Sequence, residues 1–587
     1  MACRTDLRIP VVVAAAFALS TASTAAPARD RLTEANLALE RGEGIAAEVA
    51  VQEALQAGAS RSEVAALIGE AELLQGDLAD ARRWLAGGEF SAATRERGYH
   101  ALARLEMTEG NLAAAAAAFD RALETGAGSA RLWADIGRLR YSAGQHRPAL
   151  DAAARAVATD PDDPRALEFQ AQLTRDSKGV LAALPLFERA LESAPDDLGL
   201  LGEYAATLGE AGRHRDMLDV ARRMVELDPR HPRAYYLQAV LAARGGLDDL
   251  ARRLLARTGG SYDAQPASQL LAGVLELRSG NAGLAIERFA ELARRQSDNG
   301  VARILLGRAL LAHGEAGEVV ARWAPAADRA DASPYLLTLV GRALEQLGRR
   351  QDAARYLDRA AAARSAPVGV LAADPRGAAA TGLGAEVSQI RLMLVEGRTG
   401  EAVNRVRALR ARFPDSIDID ILSGDVSLLA GNPEAALEAF RRAAAVRCNF
   451  AVVERMVEAH RALGRHDGAS DVLAGYLAQN PRSAAAAAML GRMESERGDW
   501  RRARLLLTYA NLLRPDDARL LADLAKAQLA SGETEAAEQT ARASHRLHRA
   551  SRPVAATLAK VLAASDGAGE EARAPLAKAP DADSNER

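Results

Sequence analysis

The chain has 587 residues, a net charge of −3, and a hydrophobic fraction of 49% with only 4% aromatics. That balance excludes both a strongly basic nucleic-acid field and a chain too polar to bury a core. With only Cys3 and Cys448, it also excludes a disulfide-framed fold.

At the N-terminus, Arg4 and Arg8 precede an apolar run from Ile9 to Leu19, and small residues follow from Ser20 to Ala26. A basic start, a short apolar centre and a small-residue zone make an export signal. The run is shorter than the roughly 20 residues a membrane span needs. Residues 1–28 are therefore expected to be a signal cut near Ala25 or Ala28; the alternative is a retained anchor. Cleavage would leave Cys448 alone, as a buried or a reactive thiol.

From residue 29 the chain repeats a 34-residue unit. Its clearest copy runs from Arg131 to Pro164. Trp133, Ile136 and Leu139 fall on one helical stripe, and Gly144 ends that helix. A second helix follows with Leu150, Ala153 and Val157 expected on its inner face, and Asp160-Pro161 stops it. The turn recurs at Gly42, Gly76, Gly110, Gly144, Lys178 (Gly179 beside it), Gly212, Gly246, Gly280, Gly314 and Gly348. It resumes at Gly397, Gly431, Gly464, Gly498 and Gly532. Five residues after the turn stands alanine, except at Met217 and Val319. Such a rule fits two helices in close approach. Seven before it, glycine recurs at Gly69, Gly137, Gly273, Gly307, Gly341, Gly424 and Gly491.

These residues place ten repeats in 29–364 and five in 384–550. The copy at Gly246 is atypical, because Arg257-Thr258-Gly259-Gly260-Ser261-Tyr262 must end its second helix early. Residues 365–383 break the register with Pro367, Pro375, Gly369, Gly377 and Gly382, and are expected to form an insertion or hinge loop. Arg552-Pro553 opens a capping helix within 551–564. The tail, 565–587, is too polar to fold.

The pattern resembles the tetratricopeptide repeat family: Trp133-x2-Ile136-Gly137, then Ala115-x3-Phe119, Ala183-x3-Phe187, Ala285-x3-Phe289 and Ala436-x3-Phe440, with Pro161, Pro195, Pro229, Pro414, Pro481 and Pro515. The family's tyrosine is mostly absent; Arg140 stands there. The resemblance implies an all-α fold, a right-handed α-solenoid of about fifteen antiparallel helix pairs. It also implies a non-enzymatic scaffold for protein or peptide partners. Long exported members serve exopolysaccharide synthesis or export, or surface-protein sorting. The alternative is an accessory solenoid of a carbohydrate-processing system that binds an acidic glycan directly. Either would be periplasmic or surface-associated, peripheral to the membrane at most, with no nucleic-acid partner.

Motifs for chemistry fail on spacing. Gly377-x4-Gly382 lacks the Lys-Ser/Thr of a phosphate loop. Asp160, Asp162, Asp163 and Asp415, Asp418, Asp420 lack the glycine and glutamate of a calcium loop, and read as helix caps. His545 and His548 make a weak metal pair and read as a solvated face. No catalytic residue, cofactor or metal site is expected.

By the resemblance, the residue six before each turn glycine faces the concave surface. That row includes Arg104, Arg138, Arg308, Arg342, Arg391, Arg492 and Lys526, with Glu70, Asp425 and Glu458 as acidic exceptions. Arg97, His100, Arg131, Arg165 and Arg175 strengthen its first patch. Two readings stand: an internally paired helix face, or a groove whose guanidinium forks grip an acidic peptide or an anionic polysaccharide.

Overall fold

The computed structural model describes residues 28–296, 299–329, 332–362 and 383–565. The expected signal (1–28), insertion (365–383) and tail (565–587) lie outside them, apart from Ala28, Leu383 and Ser565. Every regular element among the described residues is a helix. The helices pair as the 34-residue step requires: Arg61–Gln75 with Leu78–Leu85, Ala130–Ser142 with His146–Thr159, and onward to Ala518–Ala530 with Thr534–Leu547. Arg552–Ala564 closes the series, burying Leu558, Val561 and Leu562 against Ala525, Ala537 and Ala541.

The fourteen turn glycines take φ between +69° and +94°, a region that an L side chain occupies only with strain. Where Lys178 replaces glycine, the helix runs through it and Gly179 turns instead at φ +112°. The thirteen alanines five after the turn are each 0% exposed, and Met217 and Val319 are also buried. The glycines seven before the turn are the sockets for large neighbours. A Cβ on Gly137 would lie 2.3 Å from Phe169 Cε1.

The Arg131–Pro164 copy buries Ile136, Leu139 and Ala153 as expected and differs at its other seam positions. Leu132 is fully buried, whereas Trp133 is half-buried and donates its indole N–H to the Ala127 carbonyl at 2.9 Å. The second helix buries Ala149, Ala152, Ala153 and Ala156, and Leu150 and Val157 move to its flanks. Alanine at the contact lets the helices approach closely, which leaves no room there for longer side chains. After Gly246 the second helix, Asp248–Ala256, ends early, as its sequence requires. A recess of about 220 Å³ remains beside it, lined by Leu255, Ala256, Ala272, Leu275 and Arg288.

The chain forms two compact units, one up to Gln170 and one from Ala171 onward. Within the second, the array after residue 383 lies along the array before residue 362. Its inter-pair loops make the seam. The Cys448 N–H donates to the Asp176 carbonyl at 2.7 Å, and Arg482 donates to His214 Nε2 at 2.8 Å. Arg514 donates to the Tyr335 hydroxyl at 2.7 Å, the Ala550 N–H to Glu345 at 2.7 Å, and Arg552 to Asp358 at 2.6 Å. No helix among the described residues is long and apolar enough to cross a membrane.

Candidate functional site: a polar row on the first helices

The first unit brings most of the expected basic patch together and supplies carboxylates for it. Arg97 bonds both Asn36 and Glu70. Glu70 lies 3.7 Å from Arg104, which lies 4.0 Å from Asp135. Asp135 accepts from Arg138 at 2.9 Å and pairs with His100 at 2.8 Å. Arg138 continues to Glu168 at 3.3 Å, and Arg165 reaches the same carboxylate at 3.1 Å. Arg131 pairs with Asp163 at 3.4 Å. Five arginines thus face four carboxylates, and a continuous ladder joins Asn36 to Arg165. Burial alone would raise the Asp135 carboxyl. The hydrogen bond and charge of His100, with Arg138 and Arg104, instead hold it well below the usual carboxylate range.

Two family matches, both described as tetratricopeptide repeat, cover residues 106–173 and 389–449. The chain carries tetratricopeptide repeats. Such arrays are scaffolds that bind protein or peptide partners. No curated protein matches this one. Solved structures similar to it include Pseudomonas aeruginosa pilF, at 16% identity, covering 35% of this chain and 95% of that one, TM-score 0.31. A tetratricopeptide repeat protein from Parabacteroides merdae matches at 14%, covering 48% and 99%, TM-score 0.32. A human IFIT1 dimer matches at 16%, covering 65% and 90%, TM-score 0.37.

In the second unit of this tetratricopeptide array the row is dispersed. Arg175 bonds Glu203 at 3.3 Å and Thr207 at 3.1 Å, sharing Glu203 with Arg233. Arg342 stands near Glu345 and His548, on the seam. Arg391 lies near Asp425. Arg492 and Lys526 flank Asp523 at 3.7 and 3.4 Å. Arg308 is exposed. The residues that sequence reasoning missed are the acidic partners Asp135, Glu168, Glu203 and Asp523, while Asp163, read there as a helix cap, also pairs with Arg131. Three of them stand three residues from a row or patch cation (Asp135–Arg138, Arg165–Glu168, Asp523–Lys526), the one signal that could have found them.

The remaining candidates are engaged internally. Asp163 caps a helix by accepting the Ala166 N–H at 2.8 Å, and buried Asp420 accepts from Arg442 at 3.0 Å. His545 and His548 are half-buried, not solvated: burial, with Arg342 beside it, pushes His548 down to about 4. Burial pushes the half-buried Cys448 thiol up, away from reactivity.

Proposed function

We propose that this chain is a non-enzymatic scaffold of the bacterial cell envelope, exported by its N-terminal segment. Its first-helix row between Asn36 and Arg165 would hold an extended, acidic segment of a partner protein. The observation that carries the reading is the ladder itself. Carboxylates fix the guanidinium groups in place, yet each guanidinium has five N–H donors and uses only some of them. Arg104 is the least committed member, with ion pairs no closer than 3.7 Å. Preorganised forks with spare donors suit carboxylate recognition.

Direct glycan binding has less support. Trp84, Trp133 and Trp323 lie under Arg61, Arg155 and Arg322 at 4.6, 4.9 and 5.4 Å, so these rings are covered by the chain's own cations. Export rests on the pattern from Arg4 to Ala26, and service to exopolysaccharide export or surface-protein sorting rests on the family resemblance.

The test is affinity capture from envelope extract with wild-type protein and Arg104→Glu, leaving Arg138 intact because it bridges Asp135 and Glu168. The variant should keep its helicity and lose the partner. Equal capture by both proteins would remove the row as the binding surface. N-terminal sequencing of the periplasmic protein tests export; a start at Met1 would refute cleavage.

A further inference from the structure

The repeats provide internal controls for one another, and one turn departs from the others. Four first helices carry glutamate four residues before the turn glycine: Glu72, Glu106, Glu276 and Glu494. Two of them accept hydrogen bonds from side-chain donors, and a third meets a cation. Glu106 accepts from Asn111 at 2.9 Å and from Arg82 at 2.9 Å. Glu276 accepts from Asn281 at 2.8 Å. Glu494 pairs with Arg502 at 3.3 Å.

Around Glu72 each of those donor positions is acidic. Asp77 stands where Asn111 and Asn281 stand, one after the turn. Asp80 stands where Arg502 stands, four after it. Glu48 stands where Arg82 stands, on the preceding second helix. Glu72 is only 8% exposed, and among the described residues no side-chain hydrogen bond or ion pair reaches its carboxylate. A carboxylate without a partner on a largely buried side chain is costly, and three more carboxylates in place of its donors make it costlier.

We propose that Glu72, Asp77 and Asp80 form a binding site for a hard divalent cation, with calcium as the reference ion. One oxygen from each lies within 4.8 Å of the others. Calcium holds oxygens at 2.3–2.6 Å, so two of its ligands stand at most about 5 Å apart, and the cluster closes on an ion with small movements. Hard cations prefer carboxylate oxygen, and water completes the shell at the open side, where Asp77 is exposed. Asp77 already fixes one oxygen by accepting the Asp80 N–H at 3.0 Å, which leaves its second oxygen for the ion. The Glu72 side chain leaves the last turn of helix Arg61–Gln75, where the helix dipole also favours a cation. Arg83 pairs with Asp80, but it is the exposed end of the group and can swing away.

The experiment is calorimetric titration of calcium chloride into the metal-free full chain, with thermal melts run with and without calcium. Wild type should bind one ion with a Kd of about 10⁻⁴ to 10⁻³ M, the range of weak oxygen sites, and should melt higher with calcium. Asp77→Asn gives this turn the residue pair of Glu106–Asn111. It should weaken calcium binding at least tenfold and raise the metal-free melting temperature. Glu72→Gln should do the same by a different route. Two results overturn the assignment: no binding of calcium, magnesium or manganese by wild type at 10 mM (about ten times the weakest Kd expected), or undiminished binding by both variants. A proton shared between Glu72 and Asp77 would give the first of these.

Discussion

Gly424→Ala and Gly475→Ala should have opposite signs, and the structure supplies the reason. Both glycines lie inside helices, so alanine gains helix propensity at each, worth about 1 kcal/mol. Around Gly475 a new Cβ would meet nothing within 4 Å. That gain should appear there undiminished. At Gly424 the same atom would lie 2.3 Å from Phe440 Cε1, 2.6 Å from Cδ1 and 2.8 Å from Cζ. Carbon atoms rest at roughly 3.5–4.0 Å, so the ring must retreat by more than 1 Å. It cannot do so freely, because Phe440 is fully buried among Ala436, Leu437, Val452 and Met456. Overpacking of this kind costs about 1–3 kcal/mol, and so short a contact belongs at the upper end. Subtracting the propensity gain leaves a net loss of about 1–2 kcal/mol. Stability need not be uniform along a repeat array, so a local assay reads the change at the helix that carries it. Hydrogen exchange over Ile417–Leu429 should quicken about tenfold in Gly424→Ala, since 1.4 kcal/mol is a factor of ten. Over His466–Gln479 it should slow in Gly475→Ala. Unchanged or slower exchange in Gly424→Ala would refute the socket argument.

Ala149→Leu should cost about 1–3 kcal/mol by forcing apart a contact at 0% exposure, while Ala86→Leu, on an exposed helix end, should cost less; equal melting shifts would count against the register. The seam should loosen in acid. His548 titrates near 4 when folded, against an ordinary value near 6.5, so its contribution is complete above about 6.5 and is lost as pH falls toward 4. At pH 5 that loss is at most about 2 kcal/mol. His214 adds to it with the same sign, since burial disfavours its charged form and protonation of the Nε2 that accepts from Arg482 would set two cations together. Proteolysis around Ala550 should therefore be faster at pH 5 than at pH 8, and His548→Gln should flatten the difference; equal cutting of wild type at both pH values would argue against it.

The turn glycines and the small residues beside them were legible because each is dictated inside one repeat. Gly144 needs a positive φ whatever surrounds the pair, and Ala149 needs only its own partner helix. The basic half of the row was legible for the same reason, since its members share one offset from the turn. Its acidic half was not. Asp135 stands nine before its turn and Glu168 ten, so a reading along one offset passes over both. Nor was the seam, which joins residues 179 to 300 positions apart through loops that no periodic pattern specifies.

The acidic half changes what kind of recognition the row can perform. A bare file of arginines would attract any anion over a distance of about 8 Å, the screening length at physiological ionic strength, and would release it steeply with salt. In the first unit, five arginines facing four carboxylates have little net field left. What remains is short-range: spare N–H donors on guanidinium groups whose positions Asp135 and Glu168 already fix. A partner held that way must match the spacing of those donors, not merely carry negative charge. Its binding should therefore fall less steeply with salt than binding to an unpaired file of the same arginines. Its selectivity should depend on Asp135 and Glu168 as much as on the arginines they hold.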